Sequence, residues 1–151
     1  MKLISLLERL EYTCLQGSTE QEVKNVIYDS RKVEEGSLFI CIRGAVVDGH
    51  KFVPDVIAKG AKVLVVEEAV EAPEDVTVIL VKDSRYAMAF ISAAYFGYPA
   101  EKLKTIGITG TKGKTTTTYM VKSILENAGY KVGLIGTIEA IIGDKVIPAK
   151  N

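Results

Sequence analysis

A glycine- and threonine-rich segment, Gly110–Thr116, has the residue types of a loop that binds phosphate. The apolar run before it, Thr105–Thr109, predicts a buried strand, and Thr117–Leu125 after it predicts a helix. A turn between a strand and a helix directs backbone N–H groups at one point, where the helix N-terminus adds partial positive charge. Lys114 can reach the outer phosphates of a nucleotide, and the Thr115 hydroxyl can ligate the accompanying Mg²⁺. The segment therefore predicts a nucleoside triphosphate site.

This loop departs from the strict phosphate-loop pattern by one position. The pattern requires a glycine five residues before Gly113, where this chain has Ile108, and the nearest glycine is Gly107. The core Gly-x-x-Gly-Lys-Thr is kept. A surface turn rich in glycine and lysine is the alternative, but the predicted strand and helix on either side favour the nucleotide site.

Charge and composition exclude several classes of protein. Lys plus Arg equals Asp plus Glu at 19 each, so no basic excess indicates a nucleic-acid surface. No apolar stretch approaches the roughly 20 residues of a membrane span. The start, Met1–Leu10, predicts an amphipathic helix, because Glu8 and Arg9 interrupt any signal-peptide pattern.

Cys14 and Cys41 predict two reduced thiols and a cytoplasmic protein, with a disulfide as the alternative. A single histidine argues against zinc.

The first half of the chain alternates apolar runs with turns. Beyond the N-terminal helix, we predict four strands and two helices there: strands over Val23–Ser30, Leu38–Arg43, Lys62–Val66 and Val76–Val81, and helices over Phe52–Lys59 and Ser84–Phe96. Ser84 is the expected cap of the last helix. Its aromatic residues are expected in the core: Tyr86, Phe90, Tyr95 and Phe96.

The stretch Gly97-Tyr98-Pro99 is the best domain boundary, which gives domains of residues 1–100 and 101–151. After the loop and its helix, Lys131–Gly136 predicts another strand, and Ile138–Ile142 with Lys145–Ile147 predicts a hairpin. The fold class is therefore α/β. We expect a small mixed-sheet N-terminal domain, followed by the first strand-loop-helix-strand unit of a P-loop ATPase-like parallel-sheet domain. Because so short a second half cannot complete its sheet, we expect the chain to be a fragment.

The segment Gly107–Thr117 resembles the ATP loop of the Mur ligases, the ATP-dependent amide ligases of peptidoglycan assembly, which share the one-position departure. Upstream, Asp29–Val33 and the stretch Asp48-Gly49-His50-x-Phe52 resemble that family's uridine-nucleotide domain. Downstream, Gly133–Thr137 and Pro148-x-x-Asn151 look most like the MurE branch. That branch adds the third residue to UDP-N-acetylmuramoyl-L-alanyl-D-glutamate.

The resemblance implies a role for each matching residue. Lys114 would offset charge on the γ-phosphate as it passes to a substrate carboxylate to give an acyl-phosphate. ATP and Mg²⁺ are the implied cofactors, and Thr115 would hold the metal. Ser30 and Asn151 would contact the UDP-N-acetylmuramoyl-dipeptide substrate. The implied ATP-binding residues are Gly110, Thr111, Lys112, Gly113, Lys114, Thr115 and Thr116. The remaining ligase domains are missing from this chain, so we expect it to bind nucleotide without ligating.

The chain departs from the family pattern in two places. Lys112 replaces an asparagine of many relatives, and Ala45–Val47 replaces polar residues that some relatives place near the uracil, so no role is carried onto that range. The sequence leaves open whether lysine or meso-diaminopimelate is added, because the resemblance implies that the residues that choose lie in the missing third domain.

Several residues also have structural interpretations. Asp29-Ser30-Arg31 could be a turn stabilised by side-chain-to-backbone hydrogen bonds, with Arg31 paired to Asp29. For His50, a loop or capping role is favoured over catalysis, and for the acidic stretch Glu67–Asp75 a solvated loop is favoured over a metal site.

Two other functions stay open from the sequence. One is a free-standing nucleotide-binding regulatory module. The other is a related ATP-dependent ligase with a different substrate, such as a folate polyglutamylating enzyme, although such enzymes lack the domain that contains Asp29–Arg31.

Overall fold

The computed structural model describes residues 1–44 and 47–149. The chain divides into two compact units, Met1–Lys104 and Thr105–Asn151.

The first unit is built on a five-stranded mixed sheet. Its strands are β1 (Thr13–Gln16), β2 (Asn25–Ile27), β3 (Ser37–Ile40), β4 (Val63–Val66) and β5 (Thr77–Leu80). They lie in the order β1-β5-β4-β3-β2, and β1 pairs antiparallel with β5 whereas the other pairs are parallel. The helices are α1 (Leu3–Leu7), α2 (Val53–Ala58), α3 (Ser84–Tyr95) and α4 (Pro99–Lys102), with 3₁₀ turns at Ser30–Lys32 and Gly49–Phe52.

Both faces of this sheet are buried, because helices cover each of them. Leu38 and Ile40 of β3 pack into one cluster with residues of α1 and α3, whereas Phe39 and Cys41 pack into a second cluster with Val53 and Val56 of α2. Parallel strands that are covered on both faces have nearly continuous apolar sequences. The predicted buried strands over Lys62–Val66 and Val76–Val81 are confirmed on this basis.

Helix α3 corrects two expectations about its sequence. Asp83, not Ser84, caps the helix, because its carboxylate accepts the N–H groups of Arg85 and Tyr86. The buried face consists of Ser84, Ala87, Ile91 and Ala94. Tyr86 is 58% exposed and Phe96 is 72% exposed. The prediction of a core position for these two aromatic residues is wrong, since the helix packs its other face, with Ala87 and Ile91, into the core.

The second unit contains α5 (Lys114–Asn127) and a three-stranded antiparallel sheet of β6 (Gly133–Ile135), β7 (Glu139–Ile142) and β8 (Lys145–Pro148). The predicted hairpin is confirmed, with Gly143-Asp144 as its turn. The strand predicted over Thr105–Thr109 is not formed, because no strand among the described residues pairs with it. Strand β6 pairs antiparallel with β7 and has no parallel neighbour in the described part of the chain. The α/β class with a mixed first sheet is confirmed.

The two cysteines are free, Cys14 exposed and Cys41 buried, as expected. Desolvation raises the pKa of the Cys41 thiol to about 12. Among the described residues, no helix combines the length and apolarity needed to cross a bilayer.

Replacing Ile91 with alanine is expected to lower the free energy of unfolding by about 2–5 kcal/mol, because it leaves a cavity in the core. Tyr86→Ala, on the same helix, is the matched control and is expected to cost at most about 1 kcal/mol. Urea unfolding followed by far-ultraviolet circular dichroism measures both. A larger loss for Tyr86→Ala would contradict the placement of the buried face.

Candidate functional site

The loop before α5 is shaped by a glycine in a left-handed conformation. Gly113 has φ 76° and is the N-cap of α5. A Cβ there would meet nothing within 4 Å, so the backbone angle, rather than crowding, favours glycine. Lys114 folds back over the loop and its Nζ donates to the Gly110 carbonyl at 2.6 Å. The first turn of α5 therefore presents N–H groups and an ammonium group at the same place.

A cavity of about 150 Å³ lies beside this loop in the second unit. Lys114, Thr115, Thr118 and Tyr119 line it from α5, and residues 134–139 line it from the other side. Of the residues expected to bind ATP, the structure brings Lys114 and Thr115 together here. The other five lie on the exposed loop or the exposed side of the first helical turn and do not line this cavity: Gly110, Thr111, Lys112, Gly113 and Thr116.

Two residues of this cavity, Tyr119 and Glu139, were not predicted from the sequence. The Tyr119 hydroxyl donates a hydrogen bond to the Glu139 carboxylate, which joins α5 to β7. This bond raises the pKa of Tyr119. Tyr119 lies four residues after Thr115, and this spacing places both on one face of the helix. That spacing is the signal that could have identified Tyr119, whereas nothing local points to Glu139.

The residues of this site fit a magnesium-bound nucleoside triphosphate by their chemistry. A helix N-terminus and an ammonium group favour phosphate. The Thr115 hydroxyl is an oxygen ligand of the kind that Mg²⁺ prefers.

Ser30 lies in the first unit, at the carboxyl end of β2. It begins the 3₁₀ turn Ser30–Lys32, and Asp29 caps that turn by accepting the Arg31 N–H at 3.1 Å. The Arg31 guanidinium also donates to both Asp29 oxygens, at 2.9 and 2.8 Å, so the structural pair exists. Lys59 Nζ donates to the Ser30 carbonyl at 3.0 Å and fixes the turn from α2. Within the described residues nothing is hydrogen-bonded to the Ser30 hydroxyl, which leaves this group available to a ligand.

A second group of polar residues lies at the carboxyl ends of β3 and β4. Arg43 pairs with Asp48 at 3.5 Å, with Glu67 at 3.8 Å and with Glu68 at shorter range. Ligand atoms of Asp48, His50 and Glu68 lie within 4.8 Å of one another, a spacing that a metal could use. Arg43 already pairs with two of the three candidate ligands, Asp48 and Glu68. Ala45, Val46 and the expected substrate contact Asn151 lie outside the described residues.

The chain is thus an α/β protein with a candidate phosphate site at a helix N-terminus. The family profile "Mur ligase family, catalytic domain" matches residues 22–96, and "Mur ligase middle domain" matches residues 108–150. The chain belongs to the Mur ligase family.

Individual relatives show which ligases of that family this chain is similar to. A UDP-N-acetylmuramoyl-L-alanyl-D-glutamate--2,6-diaminopimelate ligase of Clostridium perfringens is 53% identical over 99% of this chain. The chain spans 31% of the length of that relative.

Solved structures agree with this fold. A UDP-N-acetylmuramoyl-L-alanyl-D-glutamate--2,6-diaminopimelate ligase superposes on 98% of the chain, and on 30% of its own, with a TM-score of 0.74 at 22% identity. This likeness shows the fold. MurF ligase of Thermotoga maritima, solved in complex with ADP, is 26% identical over 70% of this chain and 24% of its own, with a TM-score of 0.53.

Replacing Arg31 with alanine is expected to raise the pKa of Asp29 from about 2 toward its usual value of 3.8, because the side-chain hydrogen bonds from Arg31 are the largest cause of the shift. The carboxylate pKa is lowered in the folded state. Its contribution to stability is therefore present above the usual carboxyl pKa and is lost as the pH falls toward 2. An NMR titration of the Asp29 carboxyl carbon measures the change.

Lys32→Ala is the control, since Lys32 acts on Asp29 only as a more distant charge. An unchanged Asp29 pKa in Arg31→Ala would show that the ion pair does not persist in solution.

Proposed function

We propose that this chain forms the uridine-nucleotide-binding and ATP-loop parts of a ligase that adds 2,6-diaminopimelate to UDP-N-acetylmuramoyl-L-alanyl-D-glutamate. The observation that carries the proposal is the 53% identity to a ligase of that name over 99% of the chain. Lys114 and Thr115 in one cavity support the use of ATP, as does the ADP bound to the relative from Thermotoga maritima. The substrate would be an intermediate of peptidoglycan synthesis, and the reaction would take place in the cytoplasm.

The second unit would act on the phosphates. When bound, ATP would supply the γ-phosphoryl group that converts the substrate carboxylate to an acyl-phosphate, with ADP leaving, and phosphate would leave when the incoming amine forms the amide bond. Lys114, beside the helix N-terminus, would offset the negative charge that develops during this transfer. The Thr115 hydroxyl would hold Mg²⁺, and the N–H groups of Gly110–Thr116 would orient the phosphates.

The first unit would hold the uridine diphosphate part of the substrate through Ser30, with the Asp29–Arg31 pair fixing the turn. The domain assignment, residues 1–100 for the sugar nucleotide and 101–151 for the start of the ATP domain, belongs to this proposal. So does the expectation that the isolated chain does not ligate, since the other domains of the parent enzyme would complete the ATP pocket and bring the amino acid.

Isothermal titration calorimetry of the chain with UDP-N-acetylmuramoyl-L-alanyl-D-glutamate is expected to show weak binding. Ser30→Ala is expected to weaken that binding about tenfold, because one hydrogen bond to a charged group is lost. Ser5→Ala is the matched control, since Ser5 is exposed on α1 and away from the sheet edge. Absence of binding at millimolar ligand, with the chain shown to be folded, would remove the assignment of the first unit.

ATP is expected to bind more weakly than the uridine nucleotide, and Lys114→Ala is expected to reduce that binding further, by about tenfold or more, because a charge-assisted contact to phosphate is lost. Lys131→Ala, which removes an exposed lysine beyond α5, should leave ATP affinity unchanged. Fluorescence titration with a ribose-labelled ATP analogue, with and without Mg²⁺, measures both effects. Equal losses in the two variants would indicate a general charge effect and contradict the site.

A further inference from the structure

The chain's one histidine lies buried at the carboxyl edge of the first sheet. His50 is 9% exposed, its Nδ1 lies 2.6 Å from Asp48 Oδ1, and its Nε2 lies 3.0 Å from the backbone nitrogen of Glu67. A backbone N–H can only donate, so Nε2 must accept and carries no proton. These two bonds assign a neutral imidazole that is protonated on Nδ1 and donates to Asp48.

This imidazole connects three segments that are distant in sequence. Asp48 belongs to the segment after β3, and Glu67 is the first residue after β4. The Glu67 carboxylate in turn accepts the Ser84 N–H at 2.8 Å and the Ser84 hydroxyl at 2.7 Å, at the start of α3. A continuous row of hydrogen bonds therefore runs from the end of β3 to the first turn of α3.

Glycine next to the histidine makes this position possible. Gly49 donates its N–H to the Ile42 carbonyl at 2.9 Å. A Cβ at Gly49 would lie 2.6 Å from the Ile42 nitrogen, so no other residue fits without moving the backbone. The close approach holds the His50 backbone against the end of β3 and directs its ring toward Glu67.

The same contacts exclude two other uses of His50. Both ring nitrogens are engaged, and Arg43 pairs with the neighbouring carboxylates of Asp48 and Glu68, so the ring is not free to ligate a metal. A buried ring with no free nitrogen also cannot serve as a general base. What the ring can do is fix the relative position of the segments that it joins.

We propose that His50 is a positioning residue for uridine-nucleotide binding, because its neutral imidazole holds the segment after β3 against the end of β4. Strand β3 lies between β2 and β4, so the segments that follow these strands are neighbours at one edge. Ser30 follows β2 at this edge, and parallel sheets bind their ligands outside the carboxyl ends of the strands. The inference rests on the proposed function of the first unit.

Two conservative variants separate the two hydrogen bonds. Glutamine places an amide oxygen near the position of Nε2, so His50→Gln keeps an acceptor for the Glu67 N–H. Asparagine places an amide N–H near Nδ1, so His50→Asn keeps the donor to Asp48 and leaves the Glu67 N–H without a partner. We expect His50→Asn to weaken binding of UDP-N-acetylmuramoyl-L-alanyl-D-glutamate about tenfold, and His50→Gln to stay within about threefold of the wild type.

Thermal unfolding of the same samples separates positioning from folding. A role in stability alone would lower the unfolding temperature of His50→Asn without changing the dissociation constant of the folded fraction, and this result would overturn the inference. Equal affinity losses in both variants would overturn it as well. If the wild-type chain does not bind the uridine nucleotide, the proposed function is wrong. If the wild type and His50→Asn bind it with the same dissociation constant, only the inference about His50 is wrong.

The wild-type chain provides a test that does not require any variant to fold. Because the chain has one histidine, nitrogen-15 NMR shows a single imidazole, and the inference requires the tautomer with the proton on Nδ1 in the ligand complex. An Nε2–H tautomer in the ligand complex would overturn the inference.

Discussion

Burial of both faces of the first sheet is the constraint on which the rest of this unit depends. Strands β3 and β4 send alternate residues into two separate apolar clusters, so neither face of the sheet can hold a polar ligand. The carboxyl edge instead collects charged and hydrogen-bonding side chains, including Ser30, Arg43 and Glu67. The chemistry of the first unit is concentrated at this edge because the core leaves little other space for it.

Sequence patterns predicted the elements whose signals are local. The continuous apolar runs of β4 and β5 indicated strands covered on both faces, and the Gly143-Asp144 turn indicated the hairpin. Two of the failures share a physical cause, because each depended on packing against residues distant in sequence. Thr105–Thr109 has strand-like residues, but a parallel strand exists only beside a neighbour, and the described chain provides none. Tyr86 has helical spacing, but the face of α3 that packs into the core contains Ile91 and leaves Tyr86 exposed.

The residues of the candidate sites also differ in whether a local sequence pattern can identify them. The loop glycines, Lys114 and Thr115 are close together in sequence, so the motif alone is enough to identify them. The Tyr119–Glu139 hydrogen bond spans 20 residues, and the bond from Glu67 to the His50 ring spans 17. A sequence motif cannot identify such pairs, because their two residues come together only when the fold places separate elements side by side. Sequence reasoning therefore identifies the groups that would touch a ligand more readily than the groups that hold them in place.

The two units differ in how firmly they hold their candidate ligand groups. In the first, the turn at Ser30 is fixed by Asp29, Arg31 and Lys59 above a buried core. In the second, no residue of α5 is buried, and large side chains such as Ile124 and Ile135 are 67% and 87% exposed. The phosphate-type loop is thus held mainly by its own backbone and by the bond from Lys114 to Gly110. A ligand must supply the free energy for any ordering that the protein has not already achieved. The motif at the loop therefore does not by itself imply tight binding, whereas the less conspicuous turn at Ser30 is already organised.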